Sequence, residues 1–304
     1  MRRCFITTGS GEVYATMRAI PIAIVEIAVP KFLSRQQVAQ YHEQGFLAPI
    51  DVMAADEADA CLQRLQMAEA KYPQDLNGEN RNNPHLAFSF LDALVHHPVI
   101  LAAVEDLIGD SFALWGSVLF IKEPQSKHYV SWHQDATYMG LEPHNFVTPW
   151  LALTPSNREM GCMSMIPASH RDAIQTHEET FHEDNILTRG QQIQDVDDSI
   201  AVDLILKPGQ MSLHHARTIH GSRANSSAQR RVGFALQAYV AAGGRQLLGE
   251  NYWLPMRGDF MDPDFIELKR PRRDMDPAGV VERQRANQNW ADILYQGASR
   301  KRNY

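Results

Sequence analysis

From Phe112 to Val240 the chain breaks into short β-type runs separated by turn-forming clusters. The runs are Phe112–Lys122, Tyr129–Asp135, Val147–Thr154, Gly161–Ile166, Ile200–Leu206, Gln210–His215 and Arg231–Val240. Between them lie Pro155-Ser156-Asn157, Pro167-Ala168-Ser169, Lys207-Pro208-Gly209 and Ala224-Asn225-Ser226-Ser227. Proline, glycine, asparagine and serine set turns by fixing φ, by tolerating positive φ or by bonding their own backbone. Many short strands with this punctuation predict a β-sandwich or jelly-roll barrel.

Helical patterns flank the strands. Ser34 and Gln37 form a capping-box pair for a helix with Val38 and Tyr41 on its apolar stripe, and Gly45 stops it. Asp56 is expected to cap a second helix running to about Ala70. Phe90–Val95 and Val99–Ile108 read as two more, and Ala278–Tyr295 as a C-terminal helix anchored by Val280, Val281, Trp290, Ile293 and Leu294. Helices first and strands later predict an α+β fold, with the N-terminal helices packed on one side of the β core. Residues 1–32 read as an N-terminal extension and 33–304 as one domain, its core spanning about 112–240. The polar stretch 178–196 is too long for a simple turn and reads as a lid-like insertion.

The net charge of −7 argues against a nucleic-acid or anionic-membrane partner. Cys4, Cys61 and Cys162 are odd in number and far apart, which excludes a disulfide framework or a thiolate zinc site and suits a reducing cytoplasm. No apolar run reaches membrane-spanning length, and Met1-Arg2-Arg3 stands too far from Ala19–Val29 for a signal peptide. Gly9-Ser10-Gly11 lacks the context of a phosphate loop, and no GxSxG elbow supports a serine hydrolase.

The chemistry gathers at Ser131-Trp132-His133-Gln134-Asp135. In a strand, His133 and Asp135 share a face. An imidazole beside a carboxylate is two-thirds of the 2-His-1-carboxylate set that holds non-haem Fe(II). A third ligand is expected from a later strand. His220 ends a segment before Gly221-Ser222, where it can reach the barrel mouth, while His214 and His215 are left as outer-shell, substrate-contacting or packed residues. On Arg231–Tyr239 alternation puts Val232, Phe234, Leu236 and Ala238 on a packing face, and Arg231, Gly233, Ala235, Gln237 and Tyr239 on the other. Small residues beside Arg231 leave room for a carboxylate to be gripped by its guanidinium fork.

As a group, His133-x-Asp135, His220-Gly221-Ser222 with Asn225, and Arg231 resemble the phytanoyl-CoA dioxygenase family of Fe(II)/2-oxoglutarate oxygenases. Gly161–Arg171 resembles that family's Asn-Gly…Ile-Pro-Gly-Ser-His stretch, departing at Met160 and Ala168. The resemblance covers roughly Leu33 to Tyr239. It implies a double-stranded β-helix (jelly-roll, cupin-like) core, iron on His133, Asp135 and His220, and 2-oxoglutarate with its far carboxylate on Arg231. Trp150 and Ser222 would line that pocket. It further implies that O2 and 2-oxoglutarate are consumed, with succinate and CO2 as products and an alcohol made from a small-molecule substrate. Related halogenases resemble this pattern with a small residue at position 135, so an aspartate there disfavours halogenation. Tyr138, Met139, His144, Met160, Met163 and His215 are candidate substrate contacts by proximity in sequence. The alternatives are desaturation, epoxidation or cyclisation by the same oxidant, a zinc- or manganese-dependent hydrolase or isomerase on a cupin-like barrel, and a non-catalytic binding module.

Overall fold

The computed structural model describes residues 30–77, 81–259 and 264–301. Most of the expected N-terminal extension, with Cys4, therefore lies outside the described residues. Helix α1 (Arg35–Gln44) starts as its sequence dictates. Ser34 Oγ accepts from Gln37 N at 3.2 Å, Gln37 Oε1 accepts from Ser34 N at 2.9 Å, and Gly45 ends the helix at φ 85°. Helix α2 (Ala55–Lys71) corrects the expected cap. Ala54 holds the N-cap position, Asp56 sits inside the first turn, and Glu57 receives the Ala54 N–H at 2.9 Å. Helices α3 (Ser89–Val95) and α4 (Pro98–Ile108) follow, and α5 (Pro277–Leu294) closes the chain.

The strands are β1 (Phe46–Asp51), β2 (Phe112–Leu114), β3 (Val118–Lys122), β4 (Val130–His133), β5 (Phe146–Ala152), β6 (Met163–Met165) and β7 (Val202–Asp203). They continue with β8 (Gln210–His215), β9 (His220–Ser222), β10 (Arg231–Ala235), β11 (Tyr239–Ala241) and β12 (Tyr252–Arg257). The larger sheet runs β1-β8-β5-β11-β2-β12, with β10 bridging β5 and β3. The smaller sheet runs β7-β6-β9-β4. Trp150 and Ala235 of the larger sheet meet Met163 and Met165 of the smaller in one apolar cluster, so the two sheets face each other as in a jelly roll.

Alternation sorts the larger sheet. Leu119, Ile121, Val147, Leu151, Leu213, Val232 and Phe234 point to the helices, where they join Leu65, Leu91, Val95, Ile100 and Val104 in the main core. The intervening residues point between the sheets.

Two expected strands are broken. Phe112–Lys122 and Arg231–Val240 each split, and the breaks lie opposite one another: Trp115 N donates to Ala238 O at 2.9 Å, and Gly116 N to Gln237 O at 3.1 Å. A Cβ on Gly116 would stand 2.1 Å from the Trp290 ring, and Ala238 takes a positive φ of 63°. The chain bends here so that α5 can lay Trp290 against the sheet, stacked on Trp115 at 4.2 Å. After the bend Tyr239 turns to the helices, its hydroxyl donating to Val95 O at 2.6 Å, rather than sharing the Arg231 face. The expected Ile200–Leu206 strand shortens to β7. Val281 is 46% exposed, so it anchors nothing.

Ala168 occupies the left-handed region at φ 61° in the turn before Ser169–Arg171. That conformation costs a non-glycine residue about 1–2 kcal/mol, more than the roughly 0.4–1 kcal/mol by which a glycine loosens the unfolded chain. Ala168→Gly should therefore raise stability by up to about 1 kcal/mol, read as a higher denaturant midpoint at unchanged slope. A lower midpoint would show that the turn is unstrained.

Candidate active site

β4 ends at His133, and β9 sets His220 directly opposite it. Each imidazole bonds through Nδ1 to the carbonyl two residues earlier, His133 to Ser131 O and His220 to Thr218 O, both at 2.9 Å. Nδ1 is thereby committed, and Nε2 faces the centre. This carbonyl hold is the usual support of a metal-binding histidine, because it fixes tautomer and ring orientation. Asp135 Oδ1 lies 3.5 Å from His133 Nε2 and 3.8 Å from His220 Nε2. Asp135 does not continue the strand as expected. It opens a 3-10 turn, Asp135–Thr137, and the turn swings its carboxylate back to the two rings. The three donor atoms lie within 4.8 Å of one another and all three residues are buried.

Burial by itself raises the Asp135 carboxyl, but the facing imidazoles of His133, His214 and His220 together hold it well below the usual carboxylate range. Burial, then His133 and His214, push His220 well below the usual imidazole range. A carboxylate that stays ionised beside an imidazole that stays neutral is the state a divalent transition metal binds. Two nitrogens and one oxygen with an open side suit non-haem Fe(II).

A cavity of about 970 Å³, its mouth included, opens on this centre. Arg231 lines it from β10, 1% exposed. Its Nη1 donates to Gly161 O, its Nε has no partner, and no carboxylate pairs with it among the described residues. Burial brings its pKa down to about 10. The guanidinium lies 5.0 Å from the Trp150 ring, in cation–π range. Gly233 makes that stack fit, since a Cβ there would come within 1.8 Å of the Trp150 ring. A buried guanidinium with spare donors is a receptor for a carboxylate, so this end of the cavity fits the far end of 2-oxoglutarate.

Lys122 was not singled out in the sequence. It pairs with Arg231 in register and is fully buried. Its Nζ donates to Ser222 Oγ at 2.7 Å and to Arg223 O. Burial, then Arg231, lower its pKa to about 6. Alternation along β3, with Val118 and Phe120 facing the cavity, was the signal that could have found it.

The expected residues sort cleanly. His133, Asp135, His220, Arg231, Trp150, Ser222, Tyr138, Met139 and Met163 all line the cavity. His144, Met160 and His215 do not. His215 faces away from it, its ring 5.2 Å from that of His170. Ile186, Leu187, Thr188 and Gln191 reach the cavity from the 178–196 stretch, which folds as a small hairpin pairing Glu178–Glu179 with Gln191–Gln192.

The sequence profile of phytanoyl-CoA dioxygenases matches residues 27–233, more than half of the chain. The chain belongs to the phytanoyl-CoA dioxygenase family. It is an enzyme that depends on iron(II) and 2-oxoglutarate, an oxygenase built on the jelly-roll core expected from its strands. A "probable alpha-ketoglutarate-dependent hypophosphite dioxygenase" of Stutzerimonas stutzeri is 28% identical over 70% of this chain and 81% of that one. The peroxisomal phytanoyl-CoA dioxygenase of Bos taurus is 32% identical over 43% of this chain and 40% of its own length. Among solved structures, the non-heme monooxygenase ThoJ superposes with a TM-score of 0.76 at 29% identity, covering 86% of this chain and 98% of that one. The alpha-ketoglutarate-dependent carbocyclase SnoK superposes at 0.59 and 26% identity, covering 72% and 88%.

Gly233→Ala should displace Trp150 and loosen the Arg231 end of the cavity. On the reading that Arg231 receives 2-oxoglutarate, affinity for it should fall about tenfold, or ~1.4 kcal/mol, in anaerobic titration. Unchanged affinity would remove the Trp150 stack from the cosubstrate pocket.

Proposed function

We propose that this oxygenase hydroxylates an unactivated C–H bond of a small organic substrate, with His133, Asp135 and His220 holding the iron. The observation that carries the reading is the pairing of that donor set with Arg231, a buried cation facing the same cavity with no carboxylate partner among the described residues. A hydrolase or isomerase using the same three donors for zinc or manganese has no need of Arg231. Iron(II) with 2-oxoglutarate and O2 supplies a two-electron oxidant, and 2-oxoglutarate leaves as succinate and CO2.

The protein's part is placement and exclusion. Arg231 and Trp150 fix the far carboxylate of the cosubstrate, and Ser222, held from behind by Lys122 Nζ, lines the cavity beside it. Asp135 fills a ligand position that a halide would otherwise need, which favours hydroxylation over halogenation. Phe120, Met139, Met163 and Trp290 present apolar wall, while Tyr138, Gln191 and Gln237 add a few polar contacts. Arg231 is the only lysine or arginine on that wall among the described residues. With that cation reserved for 2-oxoglutarate, the wall suits an organic molecule offering a C–H bond better than a small inorganic anion such as hypophosphite.

The same reading treats residues 33–304 as one catalytic domain, with 178–196 as the cover over its cavity. No described helix is long and apolar enough to cross a membrane. A reducing compartment such as the cytoplasm suits both iron(II) and the free thiols of Cys61 and Cys162.

The first test is anaerobic addition of Fe(II) and then 2-oxoglutarate, watching for the visible charge-transfer band of the chelate. Iron binding without a band would favour zinc- or manganese-dependent chemistry on this barrel. Asp135→Ala should abolish substrate oxidation, and retained full turnover would take Asp135 out of the ligand set. Arg231→Ala should raise the KM for 2-oxoglutarate by about 10- to 100-fold, the loss expected for a buried charge-assisted pair of about 1.5–3 kcal/mol, with less effect on iron binding. An unchanged KM would assign the far carboxylate to another group.

A further inference from the structure

The second oxygen of Asp135 has its own pair of donors. Thr148 Oγ1 lies 3.2 Å from Oδ2, and His214 Nε2 lies 3.3 Å from it. These two residues are direct cross-strand partners on β5 and β8, both facing between the sheets and both 2% exposed. Oδ1 meanwhile faces His133 and His220. The carboxylate is thus divided, one oxygen toward the metal position and the other toward the larger sheet.

The chemistry of the groups fixes the direction of both bonds. An ionised carboxylate only accepts, so the Thr148 hydroxyl and His214 Nε2–H must donate. His214 Nε2 is then occupied and cannot also ligate. Its Nδ1 is buried without a partner, which agrees with the neutral Nε2–H tautomer, since a bare acceptor costs less there than a stranded imidazolium proton. Such a clamp is needed because Asp135 has left the strand. In a 3-10 turn no ladder holds its side chain, and a free carboxylate can rotate to present both oxygens to a metal.

We propose that His214 and Thr148 are positioning residues that hold Asp135 to binding through Oδ1 alone. This rests on the assignment of His133, Asp135 and His220 as the metal ligands. A carboxylate turned to bind through both oxygens would occupy a position that 2-oxoglutarate or O2 requires. The larger sheet, which carries Arg231, would thereby also set which oxygen Asp135 offers to the metal. His214 serves this role, and His215, its neighbour in sequence, does not because it faces outward.

Co(II) alone is the probe, since its ligand-field bands report coordination number without turnover. His214→Phe, which fills the space but cannot donate, should weaken Co(II) binding by about 10- to 100-fold, the range for loss of an outer-shell partner, and shift the bands. His214→Gln, which retains a side-chain N–H donor, should restore both toward wild type. Thr148→Val removes the other donor at nearly constant shape and should shift the bands in the same direction. It provides the test if His214→Phe fails to show a native circular-dichroism melt. Wild-type affinity and bands in the folded donor-less variants overturn the proposal while leaving the ligand assignment intact. Failure of the wild-type protein itself to bind Co(II), or binding that survives Asp135→Ala unchanged, overturns the ligand assignment and this proposal with it.

Discussion

Strand alternation builds both the core and the cavity of this protein. β5, β8 and β10 each send every second residue to the helices and the others into the space between the sheets. Leu151, Leu213 and Phe234 anchor the helix layer, and their neighbours Trp150, His214 and Ala235 face the cavity. A shift of one residue in any of these strands would exchange the two sets. The apolar half supplies the driving force, on the order of 1.5–3 kcal/mol for each fully buried large side chain. The polar half is desolvated, at several kcal/mol for each ion left without compensation.

The two ends of the site resolve that cost differently. Asp135 is held from one side: His214 and Thr148 donate to Oδ2, while the Nε2 lone pairs of His133 and His220 face Oδ1. Its charge is satisfied within the protein and its orientation follows. Arg231 has a backbone carbonyl and an aromatic face but no carboxylate among the described residues. On the proposed reading, its charge is compensated when the carboxylate of the cosubstrate arrives. The protein therefore carries a preformed metal corner and, facing it, an electrostatic demand for a carboxylate. That combination ties metal and cosubstrate to one cavity.

The side of the cavity away from the sheets has another origin. It comes from the 178–196 stretch and from α5, which are distant in sequence and joined in space by Arg189. That side chain donates to Leu294 O and Gln296 O at the end of α5, pairs with Glu179 at 2.6 Å, and lies 4.4 Å from the Tyr138 ring. Trp290 and Leu294 line both the inner cavity and a second chamber that opens outward past Arg81, His128 and Glu183. His133 and His220 of the donor corner stand on paired strands and Asp135 on the turn that follows, whereas this outer wall is built from a hairpin and a terminal helix clasped by one arginine.

The class of fold was legible in the sequence, and so were the residues that gather at the cavity. Turn clusters, the Ser34–Gln37 box and period-two alternation are local signals, and each acts over a few residues in the way the structure shows. His133, Asp135, His220 and Arg231 were legible because donor type and spacing follow from chemistry. Tertiary structure decided what depends on neighbours remote in the chain. It bent two paired strands at Gly116 and Ala238 to admit Trp290, turned Tyr239 to the helices, and set Asp135 in a turn rather than a strand. It also brought Lys122 beside Arg231, and faced His214 inward to Asp135 and His215 outward to His170. Alternation with Met211 and Leu213 separates the two histidines onto opposite faces of β8, but does not say which face meets the cavity. Only the layer that each face meets assigns His214 to the site and His215 to a half-buried position against His170.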